Sequence, residues 1–124
     1  MTIELLLPLA TPSQNEFHYG THWTKARENK AMMARALLMA IGGSGQQAEM
    51  KARGKRRLSI IRFGKRRLDL PNLVGGCKGV IDCLVGYGLL VDDDDRHLEL
   101  GRIENGKLAK GQAPHTRLIL EECS

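Results

Sequence analysis

Residues 75–88, GGCKGVIDCLVGYG, hold the clearest structural pattern in the chain. Their apolar side chains recur at the spacing of one helical face; these are Cys77, Val80, Ile81, Leu84 and Val85. Gly86 and Gly88 predict the end of this helix. Lys78 and Asp82 fall one helical turn apart on the flank of the stripe, where the simplest expectation is a surface ion pair worth at most about 1 kcal/mol.

The rest of the chain contains patterns typical of one further helix and of several strands. An apolar stripe that includes Met33, Leu37 and Ile41 predicts an earlier helix from Thr24 to about Ile41. Short apolar or alternating runs predict strands over residues 3–7, 55–63, 97–103 and 115–122. The order β-α-β-α-β-β predicts one α/β (α+β) domain over residues 1–124, with a small mixed sheet and two main helices.

The connections between these elements are rich in proline, glycine and polar residues. Residues 8–20, 42–54 and 64–72 are therefore predicted to be loops. Asn105-Gly106 is a strong turn signal between the last two strands, in a connection longer than a tight hairpin. The methionines Met32, Met33 and Met39 are most simply read as core residues.

The charge balance favours a polyanionic partner. The 124 residues include 19 lysines and arginines against 14 acidic residues, a formal net charge of +5. Basic side chains bind a phosphate backbone by displacing its condensed counterions. The candidate DNA-binding cations cluster in the middle of the chain; they are Lys55, Arg56, Arg57, Lys65, Arg66 and Arg67.

The compartment is inferred from the cysteines and from hydropathy. Cys77, Cys83 and Cys123 form no CxxC pair and leave an odd thiol, which favours a reducing cytoplasm over a disulfide framework or a zinc knuckle. The first residues lack the pattern of a secretory signal. No apolar run approaches the roughly 18 residues of a membrane span, and no membrane contact is expected.

Acidic residues stand on both sides of the helix at residues 75–88. Asp69 precedes it, whereas Asp92 and Asp93 follow it, so the two points could return to one end of the fold. Magnesium usually takes one or two carboxylates and completes its shell with water and phosphate. The alternative is structural: the run of four aspartates as a solvated turn, Asp69 as a helix cap, or Asn72 as the N-cap. His18 and His22 are a weaker zinc candidate without a third ligand.

Residues 65–100, KRRLDLPNLVGGCKGVIDCLVGYGLLVDDDDRHLEL, resemble the central block of the RusA-like Holliday-junction resolvases. That family shows a basic run, then Asp-Leu-Asp-Asn-Leu, a lysine, a helix with an aspartate, and a later Asp-Asp pair. The matching positions here are, in order, Asp69, Asn72, Leu73, Lys78, Asp82, Asp92 and Asp93. The start of the chain is also similar, with a strand, a Pro-Ser-x-Asn turn at Pro12 to Asn15, and a basic helix.

The resemblance implies a mixed α/β homodimer that binds branched DNA and resolves four-way junctions by paired, magnesium-dependent nicks. Manganese could replace magnesium. Two equivalent cuts suit a twofold-symmetric dimer. A bacterial or phage-encoded cytoplasmic protein is implied by the family alone.

The same resemblance implies roles for single residues. Asp69 would be the first metal ligand and Asp93 the second, with Asp92 beside it as ligand or support. Lys78 would contact the scissile phosphate or stabilise charge in the transition state. Asp82 would order Lys78. Asn72 would support the loop, and Arg66 and Arg67, with their basic neighbours, would hold the DNA backbone.

The sequence departs from the family pattern at two places. Pro71 occupies the position of the second loop aspartate, and Val74-Gly75-Gly76-Cys77 is longer than the family's usual spacing before the lysine. Two alternatives therefore stand beside an active nuclease. One is a catalytically impaired or inactive relative that binds branched DNA, and the other is a basic scaffold protein with no DNA role.

Overall fold

The computed structural model describes residues 2–14 and 23–123, with residues 23–26 described in their backbone only. The described residues form a mixed α+β domain with one four-stranded sheet, which confirms the predicted fold class. The elements, in chain order, are β1 Thr2–Leu7, α1 Trp23–Ile41, α2 Ser44–Glu49, β2 Arg56–Phe63, α3 Leu70–Gly75, α4 Lys78–Gly86, β3 Leu98–Asn105 and β4 His115–Glu122.

The strands lie in the order β1-β4-β2-β3. β4 runs antiparallel to both β1 and β2, whereas β2 and β3 are parallel. β3 and β4 are consecutive in the chain but do not pair, because β2 lies between them. The Asn105-Gly106 signal therefore opens a crossing connection and not a hairpin. Gly106 is needed there, since a Cβ atom at this residue would lie 2.3 Å from the Phe63 ring.

The core lies on one face of the sheet. Ile3, Leu5 and Leu7 of β1 are buried and alternate with exposed residues, as expected for a strand covered on one side. Leu58 and Ile60 of the central strand β2 are fully buried. Helices α1 and α4 pack against each other, and their apolar residues join the same core cluster.

Helix α1 confirms the predicted stripe but corrects part of the methionine prediction. Met33, Leu37 and Ile41 are buried, whereas Met32 is 53% exposed and Met39 is 72% exposed. Each residue turns an α-helix by about 100°, so Met32 and Met39 share a side that is rotated away from the core stripe. The prediction that they belong to the core is wrong.

Two predicted loops contain short helices. Residues 42–54 include α2. None of its residues is buried, so its sequence has no apolar periodicity from which a helix could be predicted. Residues 64–72 include the start of α3 at Leu70. The helix predicted after that loop is also split, because α3 ends at Gly75 and α4 begins at Lys78. A Cβ atom at Gly76 would lie 1.7 Å from the carbonyl oxygen of Pro12, so this break accommodates the loop after β1.

Candidate functional site

Asp69 is the N-cap residue of α3. Its Oδ1 accepts a hydrogen bond from the backbone N–H of Asn72 at 3.0 Å, which satisfies one free donor of the first turn. The prediction of Asn72 as the N-cap is therefore wrong, because Asn72 lies inside the helix. Asp69 is exposed and lines a cavity of about 480 Å³ together with Arg67 and Asn105.

The side chain of Asn105 fixes the loop that carries Asp69. Its Oδ1 accepts from the backbone N–H of Leu68 at 3.2 Å, and its Nδ2 donates to the carbonyl oxygen of the same residue at 2.9 Å. Asn105 is the last residue of β3. The backbone just before Asp69 is therefore hydrogen-bonded to the last residue of this edge strand.

Asp93 lies between two cavities, each of which contains a lysine. A cavity of about 340 Å³ is lined by Asp93 and Lys78, and a cavity of about 410 Å³ by Asp93 and Lys55 together with Asp95 and Glu99. Leu98 and Leu100 of β3 line both. Lys78 and Asp93, two of the residues predicted to carry catalysis, thus line the same cavity.

Asp69 and Asp93 stand toward opposite ends of α3. Leu70, its first residue, lines the cavity of Asp69, whereas Val74 and Gly75 line the cavity that holds Asp93 and Lys78. A six-residue helix is about 9 Å long. The two carboxylates thus share a flank of the domain, but within the described ranges they do not line one cavity.

The acidic run forms a hydrogen-bonded turn. Oδ1 of Asp94 accepts from the backbone N–H groups of Arg96 and His97, both at 3.1 Å, and lies 2.7 Å from Nδ1 of His97. The hydrogen bond with His97 is the main cause that lowers the pKa of Asp94 below its ordinary value. Oδ1 of Asp92 accepts from the N–H of Asp93 at 2.8 Å.

Asp92, Asp94 and His97 place one potential ligand atom each within 4.8 Å of one another. His97 was not among the predicted ligands, and its spacing from Asp94 within a polar run is too common to have singled it out. Its Nδ1 and the Oδ1 of Asp94 already contact each other. Magnesium prefers oxygen ligands to imidazole nitrogen. We therefore interpret Asp92, Asp94 and His97 as residues that stabilise the turn and not as a magnesium site.

Asp82 lies between two lysines. Its carboxylate is 3.7 Å from Nζ of Lys78 and 3.8 Å from Nζ of Lys30, which confirms the predicted pair within α4 and adds a contact with α1. The side chain of Lys78 remains 57% exposed. Asp82 can therefore orient the ammonium group without removing it from solvent.

The basic run after β2 is exposed to solvent. Lys65, Arg66 and Arg67 are all exposed, and none of them forms an ion pair with a residue of the described ranges. Arg62 donates from Nη1 to the backbone carbonyl of Arg66 at 2.7 Å, which ties this loop to β2. Arg57, by contrast, is paired with Glu99.

Arg56 requires a correction, because it was predicted to contact DNA. Its side chain is only 3% exposed. The guanidinium donates to a carboxylate oxygen of Glu122 at 2.8 Å and to the carbonyl oxygens of Met50 and Leu89 at 2.6 and 2.8 Å. Arg56 therefore joins three segments inside the domain and does not present its charge at the surface.

Several other predictions concern thiols, membranes and the undescribed part of the chain. Cys77, Cys83 and Cys123 are free. In the portion of the chain described, no helix combines the length and apolar character needed to cross a bilayer. Asn15 of the Pro-Ser-x-Asn turn and the pair His18 and His22 lie outside the described residues.

Comparison with models of known protein families gives no match to this chain, and no curated protein matches it either. The resemblance to RusA-like resolvases consequently depends on the ordered residues of the segment 65–100.

Proposed function

We propose that this chain is a homodimeric, magnesium-dependent endonuclease that binds four-way DNA junctions and resolves them by paired nicks. The observation that carries the proposal is the position of Asp93 in one cavity with Lys78. A lysine beside a carboxylate offsets part of its negative charge, so the carboxylate can hold a metal ion near a phosphate with less repulsion of the phosphate. Lys78 is the residue assigned to the scissile phosphate.

The exposed cations support binding of the DNA backbone. Lys65, Arg66 and Arg67 lie together in the loop before α3, beside the cavity of Asp69, and keep their charge free of acidic partners among the described residues. Contacts of this kind position a nucleic acid and give its affinity a strong salt dependence. Arg56 has no part in this surface.

The exposed carboxylates fit a hard cation. Asp92 and Asp93 offer oxygen ligands, and one or two carboxylates suffice for magnesium when water and phosphate complete the shell. Manganese accepts the same ligands. When bound, the cation supplies positive charge for the phosphate and orients a water molecule. Asp69 lines a different cavity from Asp93, so its role as a ligand needs a test of its own.

The proposed setting is a reducing cytoplasm of bacterial or phage origin. Burial raises the pKa of Cys77 to about 11 and also raises that of Cys83. Thiols of this kind are unreactive structural groups, which fits a protein that needs no disulfide. The homodimer follows from the need for two equivalent cuts.

The test is cleavage of a synthetic four-way junction in the presence of magnesium. Asp93→Asn should stop nicking and leave junction binding intact. Glu49→Gln is the matched control, because it removes one negative charge from an exposed residue of α2, outside the cavities of Asp93. Normal nicking by Asp93→Asn would show that the site is wrongly assigned.

Asp69→Asn tests the second acidic position separately. Asparagine is as good an N-cap as aspartate, so this variant keeps α3 and removes only the charge. Loss of nicking with unchanged thermal stability is expected if Asp69 is a metal ligand. Full activity would restrict Asp69 to its observed capping role.

A second candidate is a relative that binds junctions without cutting them. Two observations favour it: Asp69 is engaged as a cap at the far end of α3, and Pro71 stands where the family has an acid. Position 71 is exposed in the first turn, where an aspartate would also interact favourably with the helix dipole. Pro71→Asp should therefore fold and gain magnesium-dependent nicking; a folded, DNA-binding but inert variant would count against this candidate.

A further inference from the structure

We propose that Gln14 is a substrate-binding residue of the cavity that holds Lys78 and Asp93. Its carboxamide donates a hydrogen bond to a non-bridging oxygen of the DNA phosphate held at Lys78. The inference rests on the proposed function and adds to it a contact from the loop after β1. Gln14 is one of the residues that line this cavity of about 340 Å³.

The break between α3 and α4 makes room for this loop. A Cβ atom at Gly75 would lie 2.6 Å from Cδ of Gln14, and one at Gly76 would lie 1.7 Å from the carbonyl oxygen of Pro12. A larger residue at Gly76 would push the loop away, and one at Gly75 would displace the side chain of Gln14. The paired glycines thus let Gln14 lie directly over the end of α3, at the side of the cavity.

The residues before Gln14 are held firmly by the sheet. Thr11 is fully buried, and its backbone N–H donates to Oγ1 of Thr116 at 3.1 Å. Its carbonyl oxygen accepts from Nε of Arg62 at 2.6 Å. Anchoring by β2 and β4 limits how far Gln14 can move, which reduces the entropy lost when it binds a ligand.

The described residues leave the carboxamide of Gln14 without a hydrogen-bond partner at the side of the cavity. Gln14 is half-buried, and across residues 2–14 and 23–123 its side chain makes no hydrogen bond. An amide supplies two N–H donors and no charge. It can therefore approach a phosphate beside Asp93 without attracting that carboxylate as an ion-pair partner. Glutamine is one of the side chains that commonly donate to DNA phosphates.

The decisive variant is Gln14→Glu, which replaces the donor with a carboxylate that repels phosphate. Gln46→Glu is its charge-matched control, because Gln46 is an exposed glutamine of α2 outside this cavity. Binding of a fluorescent four-way junction is measured by anisotropy without magnesium, so that no cutting occurs. We expect at least about tenfold weaker binding for Gln14→Glu, the size of one lost hydrogen bond to a charged group, and little change for Gln46→Glu.

Gln14→Ala serves as a second variant, which removes the donor without adding charge. Thermal unfolding of each variant checks that the domain is intact. If the unaltered protein binds the junction and both Gln14 variants bind equally well, this inference is overturned while the proposed function stands. If the unaltered protein binds no junction, duplex or single strand, both are overturned.

Discussion

The buried guanidinium of Arg56 provides the sharpest test of how the domain is held together. Arg56→Met keeps an unbranched side chain of comparable length and removes the charge and all its donors. The carbonyl oxygens of Met50 and Leu89 and a carboxylate oxygen of Glu122 each lose a hydrogen bond of 2.6 to 2.8 Å. These acceptors belong to three separate segments, so the change acts on tertiary structure.

The expected decrease in the free energy of unfolding follows from the acceptors that Arg56→Met leaves without a donor. The bond to Leu89 is buried and that to Met50 is partly buried. Leaving a buried acceptor unsatisfied costs about 1–3 kcal/mol. Breaking a buried ion pair costs about 3–5 kcal/mol, but Glu122 is 42% exposed and can regain water. We therefore expect a decrease of about 3 kcal/mol in the free energy of unfolding, within the range of these effects.

Urea unfolding at 25 °C, followed by circular dichroism, measures this quantity. Arg57→Met is the matched control in the same strand, because the Arg57–Glu99 pair is exposed on both sides. Such surface pairs contribute about 0–1 kcal/mol. A decrease below about 1 kcal/mol for Arg56→Met, or an equal decrease for both variants, would refute the assignment of Arg56 as an internal support.

Two further predictions concern titratable groups. Because burial raises the pKa of Cys77 to about 11, iodoacetamide at neutral pH should label the half-exposed Cys123 well before Cys77, as followed by mass spectrometry; equal rates would contradict this. His97→Ala removes the main cause of the lowered pKa of Asp94, so the titration of that carboxyl, observed by NMR, should move upward. Because the pKa of Asp94 is lower in the folded state, its carboxylate stabilises the fold at pH values above the unfolded pKa, and this contribution is lost as the pH falls through the folded pKa. An unchanged titration midpoint of Asp94 in His97→Ala would contradict the assignment.

Elements with a strong apolar pattern were predicted correctly from the sequence. The stripe of α1, the strand β2 and the late strand β4 agree with the structure within one or two residues. Helix α2 was missed because none of its residues is buried, and periodicity reports burial. The position of β2 between β3 and β4 was also out of reach, since strand order depends on long-range pairing that local signals do not carry.

Within the candidate site, a contact along one helix could be predicted from the sequence, but contacts between distant segments could not. The helical spacing of Lys78 and Asp82 was enough to predict their ion pair. Arg56 and Arg57 are adjacent in sequence and chemically identical, yet one is buried and the other exposed, because side chains alternate between the faces of a strand. Helix α3 lies between Asp69 and the cavity of Asp93. The sequence predicted a loop over residues 64–72, and this helix was therefore missed. Gln14, the proposed phosphate contact, occupies the variable position of the Pro-Ser-x-Asn turn, so the motif gave no reason to single it out.

The central claim is that Asp93 holds a divalent cation beside Lys78. A crystal of the protein soaked in manganese and measured at an anomalous wavelength would locate the cation directly. We expect a peak at the carboxylate of Asp93, in the cavity that Lys78 lines. A peak confined to Asp94 and His97, or no peak near Asp93 at saturating manganese, would contradict the claim.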